Sequence, residues 1–226
     1  SKAAALLDGA EELVCPNATF LRLMGLWRAR GWTGAARGWF CWTLVLFVTA
    51  TSAGKLCLDT PQELAAVADY GYAVFHLSAV TVKVACFILQ RSTIEELVNL
   101  LDETRKTYGK TEANYQVRQI YQRRATNIYR VLQALAVAVI CMWISSLVIQ
   151  RQGLKEGERP PPNPIWMPDN SPGYEIVYSV QSLCGSAAVQ ASMLIDTSFY
   201  KLTLMVTAEL QILNDNLATL GRAAEA

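Results

Sequence analysis

The side chains able to do chemistry are few and poorly placed for catalysis. A single histidine, His76, excludes a His-rich metal site. Cys15, Cys41, Cys57, Cys86, Cys141 and Cys184 are scattered, with no Cys-x-x-Cys pair and none in the long loop near residue 160. They form no disulfide framework by spacing and read as small apolar residues. No H-E-x-x-H and no G-x-S-x-G occurs. Residues 49–56, TATSAGKL, faintly resemble a phosphate loop. Thr49 stands where its first glycine belongs, however, and Leu56 where its last Ser or Thr belongs. No catalytic residue, metal or cofactor is expected, and the chain does not read as an enzyme. The groups that remain are charges in apolar surroundings: Asp69, His76 and Lys83 in one stretch, and Asp196, Lys201 and Glu209 in another. A lone carboxylate is expensive to bury. Asp196 is therefore expected to pair with a polar group on another helix or at a water pocket.

The elements that carry these groups are apolar. Of 226 residues, 52% are hydrophobic and 17% charged, against about 25% charge in ordinary soluble domains. The balance of 20 Lys+Arg and 19 Asp+Glu leaves +1, which gives no electrostatic basis for a nucleic-acid partner. Residues 38–54, 131–150 and 176–195 contain no charge. Crossing about 30 Å of hydrocarbon takes roughly 20 apolar helical residues. A fourth stretch, 66–90, has Asp69 at one end. Its Lys83 lies about 10 Å of helix from Arg91, so it can snorkel. The expected fold is all-α, a polytopic helical membrane bundle with four spans. No segment looks like a cleavable signal peptide.

Charge sets the expected orientation. Five Lys/Arg precede the first span and eight follow the second; the two opposite loops share Lys55, Arg151, Lys155 and Arg159. The positive side is expected to be cytoplasmic. The chain then divides into a cytoplasmic segment with an amphipathic helix (1–38), span one (39–58) and a short outer loop (59–65). Span two (66–90) leads to a cytoplasmic helical loop (91–128), span three (129–150) and a Pro-rich outer loop (151–175). Span four (176–208) continues as a cytoplasmic extension (209–226). The sequon at Asn17 falls on the cytoplasmic side, so no sugar is expected there.

Local patterns refine these elements. Phe20, Met24 and Trp27 recur at helical spacing among arginines. This suits a helix in the headgroup region or one packed on protein. Ser92-Thr93-Ile94-Glu95 has the pattern of a capping box, and Ile94, Leu97, Val98 and Leu101 form a stripe after it. A second stretch carries Tyr115, Ile120, Tyr121 and Ile128. Six prolines from Pro160 to Pro172 forbid regular helix in the outer loop, where Trp166 and Tyr174 can anchor at the interface. From Tyr174 to Leu220 there is no proline and one glycine, Gly185, so span four is expected to outrun the bilayer.

Several segments, in order, carry a resemblance. They are Phe20–Trp27 (FLRLMGLW), Pro168–Gln181 (PDNSPGYEIVYSVQ), Leu194–Thr197 (LIDT) and Leu210–Asp215 (LQILND). Together they resemble the N-terminal half of an insect odorant receptor, over nearly the whole chain. The resemblance implies seven spans, of which four are present, and a cytoplasmic N-terminus in the plasma membrane. It implies a ligand-gated, cation-permeable channel for small volatile odorants. The partners it implies are co-receptor subunits in a heterotetramer, within membrane lipid. It also implies a pocket in the outer half of the bundle, among spans two, three, four and six. Taking Asp69, Arg151 and Glu175 as interface marks puts His76, Trp143 and Ser182 about 10–12 Å deep. Tyr72, Phe75, Ala79, Met142, Ser146, Tyr178 and Gly185 flank that level. Helix packing alone is the competing account of these residues.

Two other functions fit the same elements: a structural or accessory membrane protein without a ligand, and a fragment of a transporter. The transporter is disfavoured because its Gly/Pro-broken spans are missing. The charge bias generates a direct test. A tag at the N-terminus should be reached by antibody only after cells are permeabilised, and a tag within 155–165 should be reached on intact cells. The reverse pattern would overturn the orientation.

Overall fold

The computed structural model describes residues 18–28, 31–58, 60–108, 111–152 and 173–225. The sequon at Asn17 and the Pro-rich loop with Trp166 lie outside the described residues. So do the side chains of Trp143, Ser146 and Tyr174. The described chain is helical, with no strand among these residues. Its helices are α1 (Ala18–Leu23), α2 (Gly31–Leu58), α3 (Leu64–Leu89), α4 (Arg91–Thr107), α5 (Glu112–Gln152) and α6 (Gly173–Glu225). Three stretches are long and apolar enough to cross a membrane: Gly31–Leu58, Leu64–Leu89 and Glu112–Met142.

Helix α6 differs from these three. At 53 residues it runs about 80 Å, and it carries the core. Buried residues recur along it at spacings of three and four: Gln181, Cys184, Ala188, Ala191, Ile195, Ser198, Leu202 and Met205. Helices α2, α3, α4 and α5 each pack on this helix. Val45 of α2, Val80, Val84 and Phe87 of α3, Val98 and Leu101 of α4 and Ala125 of α5 fill the core around it. The small residues of the seam allow close approach, which matters in lipid, where water exclusion does not drive helices together. Helices α2 and α3 are joined by Thr49 and Thr81, whose hydroxyls are 2.8 Å apart. The Trp42 Nε1–H also donates to the Thr81 carbonyl at 3.2 Å.

One local expectation is corrected, and one open alternative is decided. The capping box does not form: α4 starts at Arg91 after a turn at Gln90 that uses no side-chain cap. Glu95 instead pairs with Arg91 at 3.4 Å and accepts the Arg28 backbone N–H at 3.1 Å. Its carboxylate is thus claimed by the N-terminal segment rather than by its own helix. The segment around Phe20, Met24 and Trp27 is packed on protein. Its regular helix is only the six residues of α1, and Leu21, Leu26 and Trp27 are fully buried. The stripe on α4 does bury Ile94, Val98 and Leu101, while Leu97 stays exposed.

The N-terminal segment docks through glycine. Gly25 has φ +73, and a Cβ there would lie 2.7 Å from the Gly34 carbonyl oxygen. A Cβ on Gly38 would lie 2.9 Å from the Gly25 oxygen. The two backbones therefore touch, and this contact delivers Leu26 and Trp27 into the core. Gly25→Ala combines overpacking with left-handed strain and should cost about 2–4 kcal/mol. Gly54 lies in helix with open space around it, and Gly54→Ala should be neutral or slightly stabilising. Thermal denaturation of the purified variants checks this; equal melting temperatures would disprove the contact.

Candidate functional site

Two polar knots tie α6 to its neighbours. The first links α3 and α6 inside the apolar region. Lys83 Nζ donates to both carboxylate oxygens of Asp196 at 2.9 Å and to Ser192 Oγ at 3.0 Å. Asp196 thus has the expected polar partner on another helix. The pair stays partly open, with side-chain exposures of 34% for Lys83 and 56% for Asp196. The neighbouring Lys201 is buried in the seam.

The second knot joins α4, α5 and α6. Glu209 accepts from Arg105 Nε at 2.6 Å and from Arg118 Nε and Nη2 at 2.9 and 2.7 Å. Arg118 Nη2 also donates to the Tyr108 carbonyl at 3.3 Å. Burial opposes ionisation of Glu209. The hydrogen bonds and charges of Arg118 and Arg105 outweigh it and hold the carboxyl below its usual range. The clamp's stabilisation is therefore present at neutral pH and lost as pH falls through that lowered value. Arg105 and Arg118 went unnoticed as partners in the sequence. The available signal was a single carboxylate, Glu209, on a helix facing the cation-rich stretch 91–130.

The first knot also fixes register. Asp196 lies 113 positions after Lys83, and Phe199 packs edge-on against Phe87 at 5.9 Å, 112 positions apart. Helices α3 and α6 are therefore parallel at a constant offset. Gln133 Nε2 donates to Gln190 Oε1 at 3.1 Å, and Tyr121 Oη donates to Gln211 Oε1 at 3.0 Å. These contacts make α5 antiparallel to α6.

This register locates the residues singled out for ligand binding. Counting outward from the ion pair, Tyr72, His76, Ala79 and Lys83 share one face of α3 by spacings of four, three and four. On α6, Tyr178, Ser182, Gly185, Ser192 and Asp196 share one face in the same way. Both faces run outward from the one ion pair. The offset sets His76 level with Val189 and Tyr72 level with Gly185. His76 is thus about 10 Å deeper than Ser182, and the two do not share a layer. Asp69 and Glu175 are not at one height, which is why interface counting merged them. From Gln133–Gln190, Met142 comes level with Gln181. Tyr72 and His76 stack at 6.1 Å with planes 15° apart. Tyr72, Phe75, His76, Ala79 and Met142 are exposed, while Tyr178, Ser182 and Gly185 are half-buried. Trp143 and Ser146 follow Met142 on α5. The Ser182 hydroxyl is shielded yet has no hydrogen-bond partner among the described residues.

Three apolar helices gathered on a long fourth define a polytopic helical membrane protein. Residues 64–226 match the family described as 7tm odorant receptor. The chain belongs to that odorant receptor family, and its role is that of a chemosensory receptor. The family is one of receptors, not of enzymes. No curated protein and no solved structure matches the chain.

The ion pair yields a quantitative expectation. Lys83→Met and Asp196→Leu should each destabilise by about 0.5–1 kcal/mol, because each removes a partner from a partly exposed pair. The double variant should recover most of that loss. A double-mutant cycle on thermal stability in detergent measures the coupling. Strictly additive losses would show that the pair contributes nothing.

Proposed function

We propose that the chain is the ligand-binding subunit of an odorant-gated cation channel that detects small volatile molecules. It works in the plasma membrane, N-terminus inside, in a heterotetramer with co-receptor subunits. Family membership and the resemblance described above support this reading. The structural observation that carries it is the unpartnered Ser182 hydroxyl on α6, together with the uncovered aromatic residues of α3. A shielded polar atom without a partner is rare in folded proteins. An apolar surface with one or two such groups is the chemistry of a small-molecule site.

The candidate lining is Tyr72, Phe75, His76 and Ala79 from α3, Met142, Trp143 and Ser146 from α5, and Tyr178, Ser182 and Gly185 from α6. The exposed rings of α3 await cover, which the family's later spans and the co-receptor provide in this proposal. Odorant binding favours the open state because that state binds it more tightly.

The test is a panel of odorants on cells expressing the full receptor with its co-receptor, normalised to surface protein. Ser182→Ala should weaken odorants that carry a hydroxyl or carbonyl by roughly tenfold and spare hydrocarbons. Trp143→Ala and Tyr72→Ala should shift half-maximal concentrations by roughly tenfold to a hundredfold, in an odorant-dependent way. Uniform loss across the panel, or none, would favour a structural or accessory membrane protein with these residues as packing.

A further inference from the structure

Outside that site, the most pronounced chemical feature is a basic cavity of about 640 Å³ between α4 and α5. Its volume lies in the range of small-molecule sites. Arg105, Arg118, Arg123 and Arg130 line it, together with one carboxylate, Asp102. The nearby anions are already engaged. Glu209 holds Arg105 and Arg118, and Lys106 pairs with Asp102 along the helix. Four arginines and Lys106 thus face two carboxylates. Arg123 and Arg130 are exposed and form no ion pair with a described residue.

Such a gathering of guanidinium groups attracts an anion. The Glu209 clamp holds two of the guanidinium groups in place, so their ordering cost is met before any ligand arrives. Guanidinium forks match phosphate oxygens in geometry and charge. Gln122 and Asn127 add amides, and Thr126 a hydroxyl, on the same wall. Those groups suit a polyhydroxylated ring. Position narrows the ligand further. Arg130 immediately precedes the charge-free run that starts at Val131. The arginines from Arg118 to Arg130 therefore cover about 18 Å of helix, from the edge of the hydrocarbon into water. Its Arg130 end lies at the depth of lipid headgroups, and basic pockets beside membrane helices suit phosphorylated ones.

We propose that this cavity binds a polyphosphorylated inositol group. The same chemistry is available from a phosphoinositide headgroup or from a free inositol phosphate. The lipid source requires the 91–130 loop to be cytoplasmic, whereas binding in detergent does not depend on orientation.

The experiment measures binding to the purified full chain in detergent and in phosphatidylcholine nanodiscs. The probes are a fluorescent phosphatidylinositol bisphosphate, phosphatidylserine and inositol trisphosphate. The decisive variant is Arg123→Gln with Arg130→Gln, since both side chains are exposed and outside the core. Arg222→Gln, on the far end of α6, controls for lost charge. The double variant should bind the bisphosphate roughly tenfold or more weakly, and Arg222→Gln within about twofold of the parent. Competition by inositol trisphosphate supports a site open to the free group; binding of the lipid form alone supports a headgroup site. Unchanged affinity in the double variant, or phosphatidylserine bound as tightly as the bisphosphate, overturns the proposal.

Discussion

The pairing of Lys83 with Asp196 is the constraint on which the bundle's geometry turns. A carboxylate and an ammonium on the apolar stretches of two helices gain from pairing with each other. Apolar packing in lipid is nearly indifferent to a slide of one turn, because most faces offer similar surfaces. The ion pair removes that freedom. With the Ser192 contact and the Phe87–Phe199 edge contact, it fixes the offset of α3 on α6. Thr49 and Thr81 then place α2 against α3. Heights elsewhere in the outer half follow from this register.

The distribution of polarity follows from the same constraint. Helix α6 carries Gln181, Gln190 and Ser192 within the region that its neighbours surround, and Asp196 at its edge. Alone it is not comparable in apolarity to α2, α3 or α5. Those helices cover one side of it and carry apolar outer faces: Phe40 and Phe47 on α2, Tyr72 and Phe75 on α3, Leu135 and Met142 on α5. Helix α6 adds Ile176, Leu183 and Phe199 of its own. The bundle is polar along its central helix and apolar at its rim. This is the arrangement that satisfies polar groups in a medium without water.

The sequence made the membrane bundle legible because three charge-free windows cannot be hidden in a small soluble core. It also made Asp196's need for a partner legible, since burial cost is a property of the residue. Lys83 as that partner was not, because pairing across 113 positions depends on register, which hydropathy does not encode. The capping-box pattern misled for a similar reason. Glu95 has the spacing to cap α4, but the backbone of Arg28, folded back by Gly25, reaches it. The segment 34–38, Gly-x-x-x-Gly, carried the signal for that close approach. Interface counting placed His76 beside Ser182 by assuming that loops end at one height, and the ion pair sets a different height.

The two knots sit on one continuous helix, and this links the outer and inner ends of the bundle. Asp196 and Glu209 are 13 residues apart, about 20 Å of helix. From residue 186 to residue 220, α6 contains no glycine or proline. Sharp kinks have identifiable causes, of which proline and glycine are the commonest. A rotation of α6 at Asp196 would therefore also move Glu209 against Arg105 and Arg118. The ion pair and the Glu209 clamp share one helix, and a packed interface of this kind shifts between discrete arrangements rather than deforming smoothly. Lys83 stands between the two ends as the contact that any such rotation must break or carry with it.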